Sequence, residues 1–324
     1  MDDARCGQVC SVCLTRDPRG HPGEPTLYSS FNARALGLDL AVEETIDLAS
    51  AVGFDGVDLM VRDIVGSGRD PRALRRRLDD AGLRSGAFPL PIDWRQVPEP
   101  LFRRALGDLP RFAETAAIMG LTRTGTWVEP EAPALPGLDD EISLAVTFDQ
   151  HLQRLGQMAT VLDRWGVRLG LEVIGVANSR PGRGPAFITG LGSPRLKDLL
   201  TRLRERCPLV GILVDAWHLY AAGETIDTAL GWGTDAVVWV HVADLPAGSR
   251  PDRSAMIDNQ RGWPGDHGAI DGRTLLRRLA ESGYDGPVTV EPMGQGQALG
   301  PTGAATKALE SLRLIWPIER LSGQ

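Results

Sequence analysis

Leu209-Val210-Gly211-Ile212-Leu213-Val214-Asp215-Ala216-Trp217-His218-Leu219 is the stretch that decides the fold. Six of its first seven residues suit a buried strand, and the run then stops at a carboxylate. A strand covered on both faces reads as a continuous apolar run, the pattern of parallel sheets. An acid at its end adds nothing to packing; it needs water or a partner charge. The same grammar recurs three times. Val167-Arg168-Leu169-Gly170-Leu171 leads to Glu172, Val237-Val238-Trp239-Val240 to His241, and Val288-Thr289-Val290 to Glu291.

Working outward, residues 26–32, 56–60, 84–90 and 122–128 read as four further strands. Helical spacing of apolar residues fills the intervals at 41–52, 71–81, 99–119, 144–165 and 194–205. It continues from about residue 225, then at 273–282 and 304–316. Gly53, Gly82 and Gly120 supply stop signals, and Pro71 and Pro194 supply starts. Strict strand–helix alternation implies a parallel sheet. Eight such units in 324 residues predict an α/β protein, a (β/α)8 TIM barrel in a single domain over 26–317. Residues 1–25 and 318–324 are read as poorly ordered tails. The longest loops follow strands three, four, five and seven, which places variable chemistry on the strand-to-helix face where such barrels carry their active sites.

The net charge of −7 argues against a nucleic-acid partner, which favours a basic face. No apolar run is long enough to span a bilayer, and residues 1–25 have no signal-peptide core, so a cytoplasmic location without membrane association is expected. Cys6, Cys10 and Cys13 have the C-x3-C-x2-C spacing of iron–sulfur enzymes. A cluster loop there would have to follow a barrel strand, and the five residues before Cys6 make none, so a tail is the expected reading. Cys207, ahead of an apolar strand, is read as a packing residue.

Glu172, Asp215, His241 and Glu291 end four consecutive strands. Neighbouring strands lie about 5 Å apart, so the four side chains can converge. Three carboxylates brought together raise one another's pKa, and a divalent cation removes the conflict. Oxygen ligands with one imidazole suit Mn²⁺ first, with Co²⁺, Mg²⁺ or Zn²⁺ as alternatives. His218, three residues past Asp215, leaves the strand near the same point. Arg250, Arg253 and Arg261 lie in the seventh loop and can clamp hydroxyls, a carboxylate or a phosphate. Trp217 reads either as an apolar wall for a sugar ring or as core.

Further motifs carry a family resemblance. They are Gly53-Phe54-Asp55-Gly56-Val57-Asp58-Leu59, Asp215-Ala216-Trp217-His218, Val240-His241-Val242-Ala243-Asp244, Pro264-Gly265-Asp266-His267-Gly268-Ala269-Ile270-Asp271 and Gly283-Tyr284-Asp285-Gly286-Pro287. Together they resemble the xylose-isomerase-like TIM-barrel superfamily, whose sugar phosphate isomerases and epimerases share them, over about residues 27–316. The resemblance implies that Glu172, Asp215, His241 and Glu291 bind one metal. It also implies that Glu172 and Glu291 act as a base/acid pair and that His218 touches a substrate oxygen. The expected function is isomerisation or epimerisation of a keto-sugar or related polyol through a metal-stabilised enediolate. The alternative is a lyase on the same site, either a dehydratase of the inosose or dehydroshikimate type or a C-glycoside-cleaving enzyme. An AP-endonuclease-like nuclease is disfavoured. Phe88-Pro89-Leu90, Trp127-Val128-Glu129 and Asp252-Arg253-Ser254 lack the histidines that branch needs. Four filled ligand positions count against a metal-dead binding subunit. A homo-oligomer or a partner subunit is compatible with the family.

Overall fold

In the computed structural model, which describes residues 27–250 and 252–317, the apolar runs become adjacent parallel strands. In chain order the elements are β1 (Tyr28–Phe31), α1 (Val42–Val52), β2 (Gly56–Val57), α2 (Val61–Ser67), α3 (Pro71–Asp80), β3 (Arg84–Ser85), β4 (Phe88–Pro89) and α4 (Glu99–Met119). There follow β5 (Arg123–Val128), α5 (Asp140–Asp163), β6 (Arg168–Val173), α6 (Pro194–Arg204), β7 (Val210–Asp215), α7 (Ala216–Ala221) and α8 (Ile226–Leu230). The chain ends with β8 (Val237–Val242), α9 (Gly272–Glu281), β9 (Pro287–Val290) and α10 (Gly300–Ile315). The Cys6, Cys10 and Cys13 spacing and both tails lie outside the described residues.

The strand order is β3-β2-β1-β9-β8-β7-β6-β5-β4, with parallel pairing throughout. β3 and β4 are two halves of the strand read at 84–90, so the two ends of that order meet in one strand and the barrel closes. The break has a specific cause. The Asp58 carboxylate, just past β2, takes the Ala87 N–H at 2.7 Å and the Ser30 hydroxyl at 2.7 Å. Its other oxygen accepts from Thr289 at 2.6 Å. A Cβ on residue 86 would lie 2.1 Å from Asp58 Oδ1, so only glycine lets the strand pass this buried acid.

Helix ends follow local chemistry. Asp70 caps α3 by accepting from the Arg72 N–H, with Pro71 at the first position. Gly53 and Gly120 end α1 and α4 with φ of 96° and 72°, a left-handed turn that glycine adopts without strain. The sequence reading lacked α2 and α7. Each is seven residues or fewer, too short for helical periodicity to register. Among the described residues no helix is long and apolar enough to cross a membrane.

The barrel interior is closed by complementary sizes. Trp239 and Leu213 fill the space that Gly125 leaves; a Cβ there would lie 2.7 Å from Leu213 and 3.1 Å from Trp239. These three residues also line the floor of the cavity described below.

On α5, His151 is buried as a neutral ring. Its Nδ1 donates to the Thr147 carbonyl at 2.9 Å, and its Nε2 accepts the Glu129 N–H at 3.3 Å. Trp94 and Phe187 pack on it at 5.0 and 4.9 Å. Burial pulls its pKa from 6.5 down to about 4. The unfolded chain therefore takes up a proton that the folded chain refuses. The stabilising contribution is complete above pH 6.5 and is lost as pH falls toward 4, by about 3 kcal/mol. His151→Gln, which can keep one donor and one acceptor, is expected to flatten the stability profile over that window in urea titrations. A variant profile as steep as the wild type would refute this.

Candidate metal centre

The β-sheet register sets the site. Asp215, the last residue of β7, pairs with His241 of β8, and His241 pairs with Thr289 of β9. Glu172 of β6 pairs with Leu213, one level below Asp215, and Glu291 follows β9 one level above Thr289. The levels are staggered, as tilted barrel strands require. The longer glutamates make up the difference. All four donor atoms lie within 4.8 Å of one another.

Asp215 has two bonding duties. One oxygen accepts the Trp217 N–H at 2.8 Å and caps α7; the other accepts from Arg261 Nη1 at 2.7 Å. Glu291 accepts from the same Nη1 at 2.9 Å, and its Oε2 lies 3.0 Å from His241 Nδ1. The Glu172 carboxylate accepts no hydrogen bond among the described residues; its one ion pair there is with His241 Nδ1, at 3.9 Å.

The charges push the acids apart. Glu172 is raised well above the usual range by burial and then by the Glu291 and Asp215 charges. Burial would also raise Asp215, but Arg261, His218 and His241 hold it far below the ordinary value. Glu291 is lowered because His241 and Arg261 outweigh its own burial. Burial alone would lower His241, yet Glu291, Glu172 and Asp215 lift it to about 9.

This donor set fits a divalent cation. Three carboxylates and one imidazole are gathered in a space too small for them to ionise together, and Glu172 is left without a hydrogen-bond donor. His241, lifted to about 9, would hold the ion only after losing its proton, so metal uptake is coupled to proton loss. Addition of Mn²⁺ at pH 7 is expected to release the proton that His241 carries in the metal-free protein. Calorimetry in buffers of different ionisation enthalpy measures this, and uptake without proton release would refute it.

The other residues singled out in the sequence separate into two groups. Arg261 joins the cluster. It is buried, bonded to Asp215 and Glu291 as above, and its Nη2 donates to Asp258 at 2.6 Å and to His218 Nε2 at 3.2 Å. Arg261 therefore stands behind the carboxylates as a fixed counter-charge. His218 is buried against Arg261, Asp215 and Asp258. Trp217 is fully buried under Arg261, 5.7 Å from its guanidinium, and sits in the core. Arg250 and Arg253 are not brought to the cluster. Both are exposed, and Arg253 lies over the Tyr220 ring at 4.5 Å because the loop carries it outward.

A cavity of about 540 Å³ opens above Glu172, His241 and Glu291. Met60, Ile92, Trp127 and Trp239 form part of its wall, with Arg95 at the rim of the third strand's loop. Arg95 and Asp258 had no signal in the sequence, because neither sits at a periodic position or in a motif.

The xylose isomerase-like TIM barrel family model matches residues 46–315. The chain belongs to this family. A solved xylose isomerase domain protein from Alicyclobacillus acidocaldarius is 27% identical with a TM-score of 0.76, covering 89% of this chain and 98% of that one. A 3-dehydroshikimate dehydratase from Pseudomonas aeruginosa is 25% identical over 285 residues, 88% of this chain and 41% of the relative. The family member described here thus spans less than half the length of that relative. An inosose isomerase from Halalkalibacterium halodurans is 26% identical over 143 residues, 42% of this chain and 43% of that one.

Proposed function

We propose that this protein is a divalent-metal-dependent isomerase or epimerase of a keto-sugar or keto-polyol. The observation that carries the reading is the cluster of Glu172, Asp215, His241 and Glu291 at the floor of an open cavity. A metal held by these four would polarise a substrate carbonyl and stabilise an enediolate. The two glutamates differ in proton affinity: Glu172 is pushed up, Glu291 down. Carboxyls separated in this way suit opposite halves of a proton transfer. Glu291 removes the proton next to the carbonyl, and Glu172 delivers one to the product. Asp215 stays ionised beside Arg261 and serves as an anchor. Trp127 and Trp239 give the cavity apolar surface beside the cluster.

A second reading, dehydration, is favoured by one observation: the relative matched over 88% of this chain is a dehydratase. The same carbanion then expels a β-hydroxyl in place of accepting a proton.

Incubation of metal-loaded protein with inosose, D-fructose and 3-dehydroshikimate in D₂O tests both. Isomerase or epimerase action leaves the substrate mass unchanged except for deuterium gained from solvent. Dehydratase action gives loss of water and a new absorbing product. Absence of bound metal after soaking in excess Mn²⁺ would overturn both readings.

A further inference from the structure

We propose that Arg95, seated on Trp127, forms a subsite for a carboxylate on the substrate, so that the natural ligand is an anionic keto-polyol. This rests on the reading of the cavity as the substrate site. Two arginines line that cavity, Arg34 and Arg95. Arg34 is already neutralised by Asp39 at 2.8 Å and Asp63 at 3.2 Å. Arg95 makes no ion pair among the described residues. Its guanidinium lies 3.7 Å from the centre of the Trp127 ring, and Nη1 donates to Thr126 Oγ1 at 3.1 Å and more weakly to the Trp127 carbonyl at 3.5 Å. Nε and Nη2 carry no hydrogen bond among the described residues, which leaves a planar edge of the fork open.

The surroundings hold this fork in place. Thr126 Oγ1 is itself fixed by the Trp94 indole N–H at 2.9 Å. The backbone carbonyls of Trp94 and Arg95 are both bound by Arg154, at 2.6 and 2.7 Å, and Arg154 is buried and paired to Glu99 at 3.2 Å. Glu129, Asp93 and Glu172 act on Arg95 only from beyond ion-pair distance. A half-buried cation with no carboxylate in contact is costly, and a charge-assisted bidentate bond offsets that cost. The planar open edge matches a carboxylate. A phosphate dianion would meet more repulsion than a carboxylate monoanion, since Asp93 and Glu172 line the same cavity and Arg34 is already paired with Asp39 and Asp63.

The test uses the full chain loaded with Mn²⁺ and calorimetric titration with three probes: quinate, myo-inositol and fructose 6-phosphate. Quinate and myo-inositol are six-membered polyols with and without a carboxylate. Wild type is expected to bind quinate at least about tenfold more tightly than myo-inositol. Arg95→Leu is expected to abolish that preference while shifting myo-inositol by less than about twofold. Arg95→Lys should keep part of the preference, since it keeps the charge without the fork. Equal binding of quinate and myo-inositol by wild type, no binding of either, or equal weakening of both in Arg95→Leu would overturn the proposal. Tighter, Arg95-dependent binding of fructose 6-phosphate would overturn the carboxylate assignment in favour of phosphate. Metal content is measured on the same samples. Full metal with an indifferent Arg95 sinks this subsite alone, whereas a wild type that holds no metal sinks the functional reading beneath it.

Discussion

Glu291→Gln and Glu172→Gln are each expected to lower turnover by about a thousandfold at saturating Mn²⁺, with the fold intact. Glutamine keeps the size of the side chain and one possible ligand oxygen but cannot carry the proton. The two variants should differ in detail. Glu291 is held ionised by His241 and Arg261, so its loss removes the proposed base. Solvent deuterium exchange into the substrate should then vanish along with product. Glu172 is the group pushed toward its protonated form. Glu172→Gln should therefore retain residual exchange at the acidic carbon while product formation is lost. Exchange at the wild-type rate in Glu291→Gln would remove that residue from the proton-transfer role. The reverse pattern, exchange lost in Glu172→Gln and kept in Glu291→Gln, would exchange their roles.

Arg261→Met is expected to destabilise the metal-free protein by about 3–5 kcal/mol, because it leaves two buried carboxylates without their shared cation. The loss should be largely repaired by Mn²⁺. A bound divalent ion supplies the charge that Asp215 and Glu291 otherwise take from Arg261. Since the variant harms the metal-free state more than the loaded one, linkage requires tighter metal binding, not weaker. Chemical denaturation with and without Mn²⁺ measures both quantities. Equal destabilisation in the two states, or weaker metal binding, would show that Arg261 contributes packing alone. His218 and Asp258, which bond the other edge of the same guanidinium, would then need a separate explanation.

The candidate cluster was legible because each of its members lies at or next to the end of a strand. An apolar run that stops at Glu172, Asp215, His241 or Glu291 needs no long-range information, and strict alternation forces those ends onto one face. The third strand was less legible. The run 84–90 looks continuous, but Asp58 reaches across from β2 and takes the Ala87 N–H, dividing it at Gly86. The seventh-loop arginines show the same limit. Arg250, Arg253 and Arg261 are equivalent as letters, yet the loop buries one against three carboxylates and turns the other two outward.

By itself the sequence determined the barrel and the four residues that cluster at its mouth, since periodicity and strand-end chemistry are local properties repeated along the chain. Only the tertiary structure decided which arginine neutralises the carboxylates and which one, Arg95, is left open beside them. The physical reason is that charge pairing depends on distance through space. A loop has no period from which that distance can be read.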